Sequence, residues 1–196
     1  MRLNSKIDKL KVVLLLTDRD EIEALGVTLR SIANTSGPDE RAVLVYSKNP
    51  ISSKYLGIHF TYSDVGLVFK NFKEEDSVLF CYPGVVFEER GWVREFLASL
   101  GKSPDYAIGA CCRVGETRVK GYSNKNLLNL SPISSKAAVN VDVIRFAVAV
   151  TGRVLNRLES TPSSVWDFDI SRQVSCDISS VNVDVTLVNR KLNLRK

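Results

Sequence analysis

The run KVVLLL at residues 11–16 admits few placements. A Lys followed by five apolar residues without alternation reads as a strand buried on both faces, which means the interior of a parallel sheet. Asp18 with Glu21 three residues later forms an Asp-x-x-Glu capping pattern. Ile22, Leu25, Leu29, Ile32 and Ala33 then recur at helical spacing until Ser36-Gly37-Pro38 ends the run. AVLVY at 42–46 supplies a second buried strand, so the chain opens as β-α-β, right-handed by the crossover rule.

The same alternation continues for some sixty residues. GIHFTY at 57–62 reads as a third strand, with a short helix over 65–72, and SVLFCY at 77–82 reads as a fourth. Trp92, Val93, Phe96, Leu97 and Leu100 mark one helical face that Gly101 closes as a C-cap. YAIGACC at 106–112 is a fifth strand. Residues 113–135 are polar and rich in Gly and Asn, as in a hairpin or an ordered loop over a site. AAVNVDVI at 137–144 alternates as a strand, and Val148, Thr151, Leu155 and Leu158 suggest a helix ending before Thr161-Pro162. FDISRQV at 168–174 reads as a short helix, and VNVDVTLVN at 181–189 as a half-exposed strand. A chain of 196 residues with no repeat or linker is expected to form one α/β domain over 1–196, a mixed sheet flanked by helices.

Composition narrows the function classes. A hydrophobic content of 44% belongs to a globular chain. The sequence holds no apolar stretch of membrane-spanning length and no signal-peptide core, so the expectation is a cytoplasmic protein without a transmembrane segment. The net charge of +5 and the pI near 9.0 suit a partner carrying phosphate. No helix clusters Arg and Lys and no aromatic residues interleave with them, which argues against nucleic acid. Arg190, Lys191, Arg195 and Lys196 form either a solvated tail or a peripheral contact with a membrane surface. Cys81, Cys111, Cys112 and Cys176 have no CxxC spacing and lie far from the single His59, so buried thiols are expected and a zinc site is not.

Three segments together resemble the GT-A fold glycosyltransferases, particularly the inverting family-2 type, over about residues 10–175. LLLTDRDEIEALGVTLRSIANT resembles that family's opening, an apolar strand, Pro-Thr-x-Asn-Arg, then Thr-Leu-x-Ser-Leu in the first helix. VLFCYPGVVFEERGWVREFLASL resembles the segment in which a strand ends in Asp-x-Asp and later reaches Gly-Trp. Gly91-Trp92 fits, whereas Tyr82-Pro83-Gly84 stands in place of the acids and Val45-Tyr46-Ser47 where a nucleotide-contacting Asp usually ends the second strand. Trp166-Asp167-Phe168-Asp169-Ile170 resembles Glu-Asp-x-Asp-Leu, the motif that carries the catalytic base, with Trp166 replacing the Glu and Arg172 one residue early.

The resemblance implies a GT-A-like mixed sheet, a nucleotide-sugar donor, and a glycan, protein or lipid acceptor. It implies Asp167 as the base that takes the acceptor hydroxyl's proton. Read without it, Asp167 caps a short helix. Asp169 either joins substrate binding by orienting Asp167, helps to hold a cation, or is solvated. Thr17, Asp18 and Arg19 would bind the nucleotide at the carboxyl end of the first strand, with Asp18 facing the base, although Asp18 also serves as a helix N-cap without any ligand. A divalent cation, Mn²⁺ or Mg²⁺, belongs to the family's Asp-x-Asp, and its replacement by Tyr82-Pro83-Gly84 argues against ordinary metal use here. Arg113, Arg118 and Lys120 are then candidates for neutralising a diphosphate from a lid, or are exposed loop charges. The missing acids equally suit a non-catalytic descendant of the fold that binds sugar nucleotides or glycans.

Overall fold

The computed structural model describes residues 9–17, 21–51, 58–114, 117–123, 132–134, 141–142, 144–163, 165–174 and 178–188. The opening run forms β1 (Leu10–Leu16), followed by α1 (Glu21–Thr35) and β2 (Arg41–Ser47). β1 pairs in parallel with β2 on one side and with β4 (Ser77–Cys81) on the other, so every residue from Val12 to Leu16 is buried. β3 (Ile58–Thr61) extends the parallel set beyond β2 and is exposed along its length, as befits an edge. The short helix α2 (Val65–Phe69) precedes β4, with Asp64 capping it through Gly66 N.

Among the described residues the main sheet runs β3-β2-β1-β4-β10-β6-β11-β5, with β7 paired to β6. Its second half is built from β5 (Val85–Phe87), β6 (Ala107–Val114), β7 (Thr117–Val119), β10 (Ala147–Thr151) and β11 (Ile178–Leu187). β10 is antiparallel to both β4 and β6, whereas β11 is parallel to β6 and antiparallel to β5. A two-stranded ribbon of β8 (Gly121–Tyr122) and β9 (Pro132–Ile133) stands apart. Helix α3 (Trp92–Lys102) lies between β5 and β6, while α4 (Gly152–Asn156) and α5 (Trp166–Gln173) follow β10.

The Thr-Leu-x-Ser stretch of α1 acquires a physical role in this arrangement. Among the described residues β5 has a strand, β11, on one side only, and two hydroxyls of α1 take the place of a strand on the other. Thr28 Oγ1 accepts from Gly84 N at 2.8 Å, and Ser31 Oγ accepts from Phe87 N at 2.7 Å while donating to Phe87 O at 3.1 Å. Thr28 and Ser31 sit three residues apart on one helix face, the spacing needed to meet two backbone groups of one strand. Gly91, at φ +90, turns the chain into α3, where Trp92 stacks on Phe87 with centroids 4.0 Å apart and donates from Nε1 to Thr35 Oγ1. Ser31→Ala is expected to strand both buried groups of Phe87 and to cost about 1 to 3 kcal/mol. The measurement is a urea titration, where the midpoint falls and the slope stays constant.

Several expectations are revised. Gly101 does not end α3, which runs through Lys102 with Ser103 as its C-cap. The spacing of Val148 and Thr151 reads as helical, yet AVAVT is the buried strand β10, and only Gly152–Asn156 is helix. Alternating β-branched residues with neighbouring strands on both sides outweigh an i, i+3 coincidence. Val141, Asp142 and Ile144 are not in a strand, and the rest of 137–144 lies outside the described residues, as do Arg190, Lys191, Arg195 and Lys196. β5 went unseen because three residues carry no period. Cys81, Cys111 and Cys112 are buried free thiols, as expected, whereas Cys176 lies outside the described residues. No helix among the described residues is long and apolar enough to cross a membrane.

Candidate active site

The carboxyl ends of β1 and β4 meet the amino end of β10, and α5 closes over them. Tyr82, directly after β4, donates its backbone N–H to Phe146 O at 3.0 Å and its hydroxyl to Asp167 Oδ1 at 3.1 Å. Asp167 Oδ2 accepts from Arg145 Nε at 2.8 Å and from Phe146 N at 3.0 Å. Asp167 is fully buried, and Arg145 keeps only 9% of its side-chain surface exposed. The ring of Phe146 lies 5.0 Å beneath the Arg145 guanidinium.

Local chemistry explains why α5 docks here. Asp167 and Ser171 are four residues apart and share a helix face. Ser171 Oγ donates to Asp167 O at 2.7 Å and accepts from Ile144 N at 3.1 Å, so both residues grip the segment 144–146. Trp166 lies parallel to Tyr82 at 4.6 Å and tilts against Phe80 at 5.8 Å. Phe146 has φ +71, and Ala147 N bonds back to Arg145 O, which makes a γ-type turn of the strained hand. Such a turn in a non-glycine residue persists only where its surroundings enforce it. Here the enforcement is the pair of bonds from Phe146 N and O to Asp167 and Tyr82.

The site's proton affinities follow from burial and charge. Burial, then the Asp167 carboxylate, pushes the Tyr82 phenol well above its ordinary range, so it stays a neutral donor. Burial works against the charge of Arg145, and Asp167 more than offsets it, leaving the guanidinium a firmer cation than usual. Beside β1, Glu21 accepts from Thr17 N at 2.6 Å and from Thr17 Oγ1 at 3.3 Å. Tyr62 donates to Leu16 O at 2.8 Å, and burial, then Glu21, raises its phenol to about 12.

Thr17 and Asp167 are thus brought to the same end of the sheet. Asp18 and Arg19 lie outside the described residues. Asp169 diverges from Asp167 because both are on a helix, and its Oδ2 accepts from Ser163 N at 2.6 Å. Arg113 and Arg118 lie on β6 and β7 rather than in a loop, and both pair with Asp184 of β11; Arg113 is exposed and also lies 3.5 Å from Glu88. Lys120 is buried. Among the described residues no three of His, Cys, Asp and Glu converge as a metal cluster. At Tyr82-Pro83-Gly84 the described groups are a phenol, a Pro ring and backbone, which do not fit a divalent cation's need for several oxygen ligands. Arg145 and Phe146 escaped sequence reasoning. Their one signal was a lone cation inside VDVIRFAVAV.

No protein-family profile and no characterised protein matches the sequence. The fold does match solved structures. GalNAc-T7, solved with UDP, GalNAc and Mn²⁺, superposes with a TM-score of 0.72 at 8% identity over 95% of this chain and 45% of its own. TarS of S. aureus gives 0.58 at 12% identity over 92% and 37% of the two chains. Its fragment 1–349 in complex with UDP gives 0.59 at 12% identity over 91% and 60%. The architecture is therefore GT-A, and the chain spans about two fifths to three fifths of the length of these proteins.

Proposed function

We propose that this chain binds a nucleotide-activated sugar and transfers the sugar, with inversion, to a hydroxyl of a glycan, protein or lipid acceptor. A fold alone does not assign an activity. What carries the reading is the place of the Tyr82, Arg145 and Asp167 cluster, at the carboxyl ends of parallel strands where open α/β sheets take their ligands. The likeness to proteins solved with UDP supports a nucleotide ligand. Thr17, Asp18 and Arg19 are proposed to meet the nucleotide, and Asp169 to serve substrate binding. Asp167 is proposed as the base, in a state where Tyr82 has left Oδ1.

A second reading, a non-catalytic sugar-nucleotide or glycan binder, has one observation in its favour. Asp167 is buried and accepts three donors, an arrangement that holds a carboxylate rather than exposing it to a hydroxyl. Thermal melts with UDP and UDP-sugars, with EDTA or with Mn²⁺, test the donor site itself. At a hundredfold excess over Kd the ligand adds about 2.7 kcal/mol, or roughly 5 to 10 °C for a chain of this length. Mn²⁺ is expected to alter donor affinity by less than about tenfold, in keeping with the missing acids. Melts that no nucleotide moves, in EDTA or in Mn²⁺, would remove the reading. Transfer by the wild-type protein separates enzyme from binder.

A further inference from the structure

Arg145 carries an unused binding capacity. A guanidinium has five N–H donors, and only Nε–H is engaged by a described residue, Asp167 Oδ2. The side chain is nine-tenths buried, so the terminal fork is a cation withdrawn from water and without a described acceptor. Its direction is fixed from three sides by the Nε bond, by the Phe146 ring under the guanidinium, and by the strained turn at φ +71. Strain spent on aiming a side chain is characteristic of ligand clamps. Burial raises the proton affinities of Cys112 and Tyr122, and the charge of Arg145 works against it at both.

We propose that the Nη1/Nη2 fork of Arg145 is an anion site that grips phosphoryl oxygens of a diphosphate directly, without a bridging metal ion. The chemistry fits because a planar fork presents paired N–H groups at the spacing of two phosphate oxygens and cannot lose its proton. Asp167 offsets the charge of Arg145 but does not occupy the fork. Arg113 and Arg118 are paired with Asp184 instead. The site therefore replaces a metal's charge with a fixed guanidinium, and its occupant being a sugar nucleotide rests on the function proposed above.

The test is calorimetry on the full chain in EDTA with three probes: UDP, uridine and inorganic pyrophosphate. Wild type is expected to bind UDP at least tenfold more tightly than uridine and to bind pyrophosphate. Arg145→Lys keeps a counter-ion for Asp167 but loses the fork, and is expected to weaken UDP and pyrophosphate tenfold or more while uridine is unchanged. The double variant Arg145→Leu with Asp167→Asn leaves no unpaired buried charge and is expected to lose pyrophosphate binding altogether. Far-UV circular dichroism establishes that each variant is folded. A folded variant that binds UDP and pyrophosphate like wild type overturns the anion site and leaves the nucleotide reading standing, as does UDP affinity that appears only with Mn²⁺. Pyrophosphate binding that depends on Arg145, with neither uridine nor UDP bound, upholds the anion site and overturns the nucleotide.

Discussion

Asp167→Asn is expected to cost the fold on the order of 3 kcal/mol and sugar transfer roughly 10² to 10⁴ in rate, while affinity for the donor holds or rises. The amide is nearly isosteric. Its oxygen can keep Arg145 Nε and Phe146 N, and its NH₂ can donate to the Tyr82 hydroxyl, which turns to accept. What disappears is the charge: Arg145 remains a nine-tenths buried cation without its counter-ion, which is the stability loss. The same uncompensated cation attracts phosphate more strongly, so donor binding does not fall with the rate. A binding isotherm, single-turnover transfer and a urea titration read the three effects separately. Transfer at the wild-type rate by the variant would end the case for Asp167 as base, and a wild type that transfers to no acceptor would favour the non-catalytic reading. Unchanged stability would mean that the buried pair contributes nothing net, as isolated ion pairs sometimes do.

The parallel half of the sheet was legible because its strands are continuous apolar runs separated by helical periods, and β1, β2, β3 and β4 fall within a residue or two of the runs that predict them. In the other half β6 and β11 were legible from the runs at 106–112 and 181–189, whereas β5 and β10 were not. β10 is short and β-branched, and its Val148 and Thr151 imitate a helical repeat, while β5 is three residues long and is defined by the hydroxyls of Thr28 and Ser31 as much as by β11. In the site, Asp167 and Tyr82 stood out as positions in motifs, yet no local pattern says that they touch across 85 residues of chain. Arg145 was invisible for the same reason. Its side chain leaves a turn at Phe146 that is held by the bond from Phe146 N to Asp167 of α5, so a tertiary contact supports a conformation that the local sequence does not announce.

Gly152→Ala is expected to be among the most destabilising of small substitutions here, about 4 kcal/mol and roughly 8 to 16 °C in Tm. Gly152 opens α4 directly after β10, and a Cβ there would sit 1.8 Å from Lys73 O and 2.6 Å from Lys73 C. The obstacle is backbone, and it is pinned. Asp76 N bonds to Lys73 O, Asp76 Oδ2 accepts from Lys73 N at 2.9 Å, and Lys11 of β1 pairs with Asp76 at 2.6 Å. Retreat from the methyl would also pull apart Gly152 N to Asp76 O at 2.8 Å and Arg153 N to Glu74 O at 3.2 Å, two bonds that fasten α4 to the turn leading into β4. Overpacking and lost backbone bonds therefore add. Gly101→Ala is the matched control, since Gly101 lies inside α3 with nothing within 4 Å of its Cβ position, and it is expected to raise stability by up to about 1 kcal/mol. Thermal melts of the two variants should thus move in opposite directions, and a Gly152→Ala protein that melts with the wild type would mean that α4 does not rest on the 73–76 turn in solution.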